Sequence, residues 1–90
     1  MRALAYTASF RRDFRRLAHS RRHELALLGE AVGLLATGAR LPEKFRDHPL
    51  GTNWKGCREC HVRPDWLLIY MVRPETLTLV RTGAHEDLFG

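Results

Sequence analysis

The chain has 90 residues, of which 44% are hydrophobic and 28% charged, and this composition fits one small globular domain with no room for a second. No apolar run approaches the roughly 20 residues of a membrane span, and arginines lie where a signal peptide would be apolar, so we expect a cytoplasmic protein with no membrane partner. The net charge of +5 resides entirely in residues 1–40, which predicts a polyanionic or acidic partner or, equally, a solvated basic surface.

The first residues predict an edge strand followed by a basic helix. Residues 2–6 are a short segment of strand type, and helical spacing predicts a helix over residues 8–19 from three apolar positions: Phe10, Phe14 and Leu17. Two pairs of arginines one turn apart predict a positive ridge on this helix, which could meet RNA, an acidic protein, or each in turn: Arg11, Arg12, Arg15 and Arg16.

A second helix is predicted over residues 21–37. Ser20 is suited to cap its start, and Gly38 is suited to end it in a left-handed conformation. Gly29 and Gly33 lie one turn apart, which predicts close packing of the two helices. Residues 1–40 therefore predict an edge strand and a helical hairpin.

The second half predicts an antiparallel meander after a long loop. Residues 41–56 contain prolines and glycines and are predicted to be a loop. Residues 57–90 contain three runs of strand type separated by proline turns, followed by a tail with one helical turn. The predicted fold class is α+β, a single compact domain with a two-helix hairpin packed on one face of a small antiparallel sheet.

The run Cys57-Arg58-Glu59-Cys60-His61 matches the C-x-x-C-H pattern of covalent haem attachment. Side chains alternate between the faces of a strand, so two cysteines three residues apart point to opposite faces and cannot hold one zinc ion or haem. Zinc sites of this spacing also use a second pair of ligands, which the sequence lacks. We expect no metal or haem, with Cys60 facing the core, and a zinc- or haem-binding protein is the weaker alternative.

Five polar residues near the predicted strand ends suggest a shared site: His48, His61, Asp65, Arg81 and His85. Cleavage of RNA without a metal requires a base for the 2′-hydroxyl, an acid for the leaving oxygen and a cation for the phosphate. Histidine can serve as the acid or the base near neutral pH, and arginine supplies a permanent charge. The competing interpretation is that these histidines are structural, and spacing alone does not decide between the two.

Two aromatic residues, Trp66 and Phe89, flank the same elements. Aromatic rings stack on unpaired bases in many RNA-binding sites, so both are candidates for a nucleotide pocket. The basic helix could hold a larger body of RNA through its phosphates.

Three motifs in this order resemble the YafQ-type mRNA interferases of the RelE toxin superfamily: "DHPL", "WKGCRECHVRPDWLLIY" and "LVRTGAHEDLFG". The resemblance covers residues 47–90 closely and residues 1–46 more loosely. It implies a compact α+β fold, cleavage of mRNA in the ribosomal A site without a cofactor, and silencing by a cognate antitoxin. Relatives often carry threonine at the position of Ala84 and another residue at Cys57.

The resemblance also implies an active site at seven positions: His48, His61, Asp65, Trp66, Arg81, His85 and Phe89. We expect His85 to be the general acid and His48, alone or with Asp65, to be the base. His61 and Arg81 would hold the phosphate. The alternative is a non-catalytic, gyrase-directed toxin of the ParE type on the same scaffold, although such relatives lack this histidine set.

Overall fold

The computed structural model describes residues 1–20 and 24–90. The helices are α1 (Ala8–Ala18), α2 (Leu25–Thr37) and α3 (His85–Phe89), and the strands are β1 (Ala3–Tyr6), β2 (His48–Pro49), β3 (Arg58–Arg63), β4 (Trp66–Val72) and β5 (Thr76–Gly83). The predicted loop contains β2 and two short 3-10 turns, Glu43–Phe45 and Thr52–Trp54. The predicted start of the second helix, at residue 21, lies outside the described residues.

The five strands form one mixed sheet in the order β1-β5-β4-β3-β2. The meander of β3, β4 and β5 is antiparallel, as predicted, and β2 adds a further antiparallel pair. β1 lies at the edge as predicted, but it pairs with β5 in the parallel direction. No short turn joins these two strands, so nothing requires them to run antiparallel.

The helix ends follow local chemistry, with one correction to the prediction. Thr7 begins α1, because its hydroxyl oxygen accepts a hydrogen bond from the backbone N–H of Phe10 at 2.9 Å. Gly38 ends α2 with a φ of 81°, as predicted. Ser20 does not cap α2, because the residue that immediately precedes this helix is Glu24.

The prediction that Gly29 and Gly33 allow close helix packing is wrong. A Cβ atom added at either residue would have nothing within 4 Å. The space beside Gly29 is part of an open groove between the helices and β1, which has consequences for binding.

Both faces of the sheet are covered, and β4 is the strand that both cores share. Helices α1 and α2 pack on one face over Leu68 and Tyr70, and α3 packs on the other face over Leu67 and Ile69. Burial on both faces explains why the sequence of β4 is a nearly continuous apolar run rather than an alternating one. Among the described helices, none is long and apolar enough to cross a bilayer.

Replacing Leu68, which is 0% exposed, by alanine should remove packing between the sheet and the helices. We expect the free energy of unfolding to fall by about 2–5 kcal/mol, measured by urea denaturation followed by circular dichroism. The control is Leu4→Ala, since Leu4 is 43% exposed and its replacement should cost under about 0.5 kcal/mol. Equal losses from the two variants would contradict the assignment of the core.

Candidate active site

The paired strands β2 and β3 hold a histidine and a carboxylate in contact. His48 lies opposite Glu59 in the register, and its Nε2 is 2.9 Å from Oε2 of Glu59. Its Nδ1 is 2.7 Å from the carbonyl oxygen of Arg46. Both ring nitrogens of His48 therefore face oxygen atoms of the protein. In this arrangement neither nitrogen is open to a substrate.

Glu59 is the site residue that the sequence analysis missed. Its side chain is buried, and its Oε1 has no hydrogen-bond partner among the described residues. A buried carboxylate oxygen without a donor is costly, so such a group is more readily explained by function than by stability. The strand alternation placed Glu59 and His61 on one face, but nothing in the spacing indicated that His48 would meet this carboxylate.

A second carboxylate anchors the segment that carries His48. Asp47 accepts hydrogen bonds from Nε and Nη2 of Arg58, the latter at 3.0 Å, and from the hydroxyl of Tyr70. Burial, followed by the hydrogen bond to Asp47, raises the pKa of Tyr70, and the hydrogen bond to Asp47 raises the pKa of Arg58. Because Asp47 directly precedes His48, these contacts hold the backbone at His48 against β3.

His61 on β3 is the histidine with an open ring nitrogen beside this pair. Its Nδ1 is 3.3 Å from the carbonyl oxygen of Pro64, so the N–H is on Nδ1 and the lone pair of the neutral ring is on Nε2. Its ring centre is 6.2 Å from that of His48. His61 is partly exposed, so a substrate can reach Nε2.

The third histidine of the predicted site, His85, lies at the start of α3 and is exposed. Its backbone N–H donates to Oδ1 of Asp65 at 3.3 Å, which satisfies a donor that the first turn of the helix leaves free. Its ring packs on Phe89, with 4.8 Å between the ring centres, and Phe89 meets Trp54 edge-on at 5.7 Å. Asp65 thus holds the chain at His85, and among the residues that the structure describes its carboxylate is not hydrogen-bonded to a histidine ring.

Trp66 is placed differently from the expectation. It is 2% exposed and lies in the core under the helices, and its indole N–H donates to the hydroxyl of Thr82 at 3.0 Å. The alternation of β4 explains this position, because Trp66 points to the same face as Leu68. Its ring is therefore inaccessible to a base, and Trp54 provides the aromatic surface beside Phe89.

The arginines of α1 do not form one positive ridge, and Arg81 of β5 contacts the same helix. Arg81 is held by Asp13 of α1, through Nε at 2.6 Å and Nη2 at 2.9 Å, and this hydrogen bonding raises the pKa of Arg81. The other four divide between two sides of the helix: Arg11 and Arg15 line the open groove, Arg16 contacts Asp13, and Arg12 contacts Ser9.

The sheet register brings the predicted site residues into two rows. His48, Glu59, Ile69 and Arg81 are successive partners across β2, β3, β4 and β5. Two residues further along β3 and β5, His61 and Gly83 pair with Leu67 from either side. His85 follows Gly83 by two residues. Since strands are about 4.8 Å apart, the backbones of β3 and β5 are separated by about 10 Å, which leaves room for a phosphodiester between the two histidines.

The two cysteines lie on opposite faces of the sheet, as predicted. Cys57 belongs to the core under α3 and Cys60 to the core under α1 and α2. Both are free thiols. Burial raises the pKa of Cys57, and burial with the nearby carboxylates of Asp47 and Glu59 raises the pKa of Cys60 to about 12. The two sulfur atoms cannot coordinate one ion from this arrangement.

Comparisons with known proteins give the family. The family described as the bacterial YafQ toxin of type II toxin–antitoxin systems matches residues 2–90. The mRNA interferase toxin YafQ of Escherichia coli K12 is 39% identical over 90 residues, which cover 99% of this chain and 97% of the relative. The crystal structure of the E. coli DinJ–YafQ complex matches with a TM-score of 0.89 and 40% identity over both full chains. A metal-bound toxin from Helicobacter pylori matches with a TM-score of 0.91 and 41% identity, over 99% of this chain and all of the relative.

The α+β fold of this chain is thus that of toxins from bacterial type II toxin–antitoxin systems. Within that class, the chain belongs to the YafQ family.

The cysteines should be unreactive in the folded protein, because a pKa of about 12 leaves on the order of one Cys60 thiolate in 10⁴ at pH 8. We expect iodoacetamide to label Cys60 at least 100-fold more slowly than free cysteine, and Cys57 also more slowly. Both thiols should react readily in guanidinium chloride. Rapid labelling of Cys60 in the folded protein, followed by mass spectrometry, would contradict the placement of this thiol.

Proposed function

We propose that the chain is a cytoplasmic toxin that inhibits translation by cleaving mRNA in the ribosomal A site, without a metal ion. The observation that carries the proposal is the open Nε2 of His61, which faces the same side of the sheet as His85 and the row that contains Arg81. A base, an acid and a cation are the three groups that this reaction requires. Membership of a family whose E. coli relative is an mRNA interferase supports the choice of RNA as the substrate.

In this mechanism His61 is the general base rather than His48. The 2′-hydroxyl transfers its proton to Nε2 of His61 while its oxygen attacks the adjacent phosphorus. The pair of His48 and Glu59 lies beside His61. Both ring nitrogens of His48 already face oxygen atoms, so we assign His48 a supporting role next to the base. This assignment replaces the expectation from the sequence that His48 is the base.

The leaving side of the reaction is assigned to His85. As the bond from phosphorus to the 5′-oxygen breaks, the imidazolium of His85 donates a proton to that oxygen, which leaves a 2′,3′-cyclic phosphate and a 5′-hydroxyl. Asp65 positions His85 through its backbone N–H. Arg81 stabilises the charge on the non-bridging oxygens. Phe89 and Trp54 offer the aromatic surface for the neighbouring base.

The openness of this site supports the proposal that cleavage depends on the ribosome. His48 and His85 are exposed, so the site by itself does little to hold a flexible RNA strand with its 2′-oxygen, phosphorus and 5′-oxygen in line. Fixing that geometry is worth several kcal/mol of the reaction barrier. We propose that the decoding site of the ribosome supplies the alignment and the toxin supplies the proton transfers.

The purified protein should cut mRNA within the A-site codon of programmed ribosomes, mapped by primer extension, and should not cut the same mRNA alone. Cleavage should persist in EDTA at a Mg²⁺ level that keeps the ribosomes intact. Cleavage of naked mRNA at the same positions, or loss of cleavage on adding zinc-selective chelators, would contradict the proposal. No cleavage by well-folded protein would indicate a non-catalytic toxin.

His85→Ala should lower the rate constant of cleavage by about 10²–10⁴-fold, the usual contribution of a general acid or base, and leave the fold intact by circular dichroism. The matched control is His19→Ala, because His19 is exposed at the end of α1 and lies outside the site. His61→Ala should lower the rate constant by a similar factor, because it removes the proposed base. A normal rate for the folded His85 variant would exclude it as the acid.

For the antitoxin we propose a docking site in the groove between α1, α2 and β1. The groove has a volume of about 650 Å³ and a mainly apolar lining. Four exposed apolar side chains lie along it: Leu4, Tyr6, Phe14 and Leu25. Arg11 and Arg15 also line it, and β1 has an unpaired edge. An acidic, amphipathic segment of the antitoxin complements this apolar, positively charged surface.

Phe14→Glu should weaken binding of the antitoxin encoded beside the toxin gene by at least 100-fold, measured by calorimetry. The substitution places a charge in the apolar lining and repels an acidic segment. Val72→Glu is the control, since Val72 is an exposed apolar residue outside the groove. Equal binding by both variants would place the antitoxin elsewhere.

A further inference from the structure

Asp13 is a buried carboxylate that the proposed chemistry does not use. It is 2% exposed, on the side of α1 that faces β5. Its Oδ2 accepts from Nε of Arg81 at 2.6 Å and from the backbone N–H of Thr82 at 3.2 Å. Its Oδ1 accepts from Nη2 of Arg81 at 2.9 Å and from Nη2 of Arg16 at 3.3 Å. These donors offset the cost of burying the charge.

The contact fixes how Arg81 can meet a substrate. A guanidinium bound to a carboxylate through two parallel hydrogen bonds is held in plane and direction. Two of the three nitrogens of Arg81 are used in this way, and among the described residues Nη1 has no acceptor. The Arg81 side chain is 26% exposed, so it can still be reached by a phosphate. Asp13 therefore determines which nitrogen of Arg81 is available.

The same carboxylate holds a second arginine beside the site. The side chain of Arg16 is 58% exposed, and its Nη2 is 3.8 Å from the position that a Cβ atom at Gly83 would occupy. Gly83 is two residues before His85. Arg12, one turn earlier on α1, instead bonds the hydroxyl of Ser9. Arg16 is thus the arginine of α1 that reaches the strand end from which the proposed acid extends.

We propose that Asp13 is a positioning residue that holds Arg81 and Arg16 as a clamp of two guanidinium groups for the phosphate at the cleavage site. Two arginines share the carboxylate of Asp13, so these three side chains together carry one net positive charge, with Asp87 close by. Arg16 in this arrangement contacts a substrate phosphate, and Asp13 acts only through the arginines. This inference rests on the proposed function, since it names further residues of the same site.

The first test is a double-mutant cycle of Asp13→Asn and Arg81→Gln, with cleavage rates normalised to folded protein. Asparagine keeps the size of Asp13, and its side-chain oxygen can still accept a hydrogen bond from the backbone N–H of Thr82. In the double variant both residues are neutral, so no buried charge is left unpaired. We expect Asp13→Asn to lower kcat about tenfold with little change in KM. Because Asp13 acts through Arg81 and Arg16, Asp13→Asn should cost less in the Arg81→Gln background than in the wild type, and it should cost nothing in a variant that lacks both arginines.

A purely structural joint between α1 and β5 predicts a different result. Asp13→Asn would then lower the folded fraction while the rate per folded molecule stayed unchanged, and this outcome would overturn the inference. A loss from Asp13→Asn that is as large in a variant lacking both arginines as in the wild type would also overturn it, since it would mean that Asp13 acts independently of them.

The second test compares Arg16→Gln with Arg40→Gln and does not depend on the folding of the Asp13 variant. Arg40 is exposed just beyond Gly38, at the end of the molecule where Gly38 approaches Arg2. We expect Arg16→Gln to lower kcat/KM five- to tenfold and Arg40→Gln to leave it within twofold. Equal effects of the two variants would overturn the clamp.

Binding of an mRNA with a 2′-O-methyl group at the cleavage position separates this inference from the proposed function. That RNA cannot be cut, so its affinity for the toxin reports on binding without the chemical step. Weaker binding by Arg16→Gln than by Arg40→Gln would support the clamp even if the wild-type protein cleaved no RNA. Cleavage by the wild-type protein with unchanged affinity and rate for Arg16→Gln would leave the function standing and overturn the clamp.

Discussion

Burial of β4 on both faces is the constraint on which the rest of the structure depends. A strand that is apolar on both faces must be packed against other elements on both sides of the sheet. A chain of 90 residues has few helices and loops that can form these two covers. Helices α1 and α2 provide one cover, and α3 provides most of the other through Leu88. The five residues of α3 therefore serve two purposes, because they close the second core and carry His85 and Phe89.

The site lies beside the second core. Leu67 and Ile69 are buried there, and the polar groups come from the strands that pair with β4 on either side. The regular spacing of the sheet sets the distance between the β3 side and the β5 side, and carboxylates then fix what the sheet leaves free. Asp47 fixes the segment before His48, Asp65 holds the start of α3, and Asp13 holds Arg81. His48, His85 and Arg81 are thus each held by a carboxylate, directly or through the backbone or a chain neighbour, whereas His61 is held by the carbonyl oxygen of Pro64.

The sequence predicted the elements well because their signals are local. The apolar spacing of α1, the glycine after α2 and the strand type of residues 57–82 each depend on neighbours a few positions apart. The opposite faces of Cys57 and Cys60 followed from strand alternation in the same way. The parallel direction of β1 could not be predicted, because no hairpin turn constrains a strand whose partner is at the far end of the chain.

The features that sequence reasoning missed are long-range contacts. Glu59 gains its significance from His48 across a strand pair, and Asp13 from Arg81 across most of the chain. Trp66 was misplaced because an aromatic residue at a strand start can face either side. The face was decided by the helices that pack over Trp66, and Trp54, from a short turn in the loop, took the exposed position.

The position of β1 has a consequence for the synthesis of the protein. Residues 3–6 are synthesised well before their partners in the sheet, residues 76–79, and α3 follows those partners in the chain. The first core is therefore incomplete, and His85 is absent, until these later residues have been made. A small domain of such non-local topology folds as a unit after its last strand has emerged. The residues of the candidate site are thus not brought together until β5 and α3 have left the ribosome.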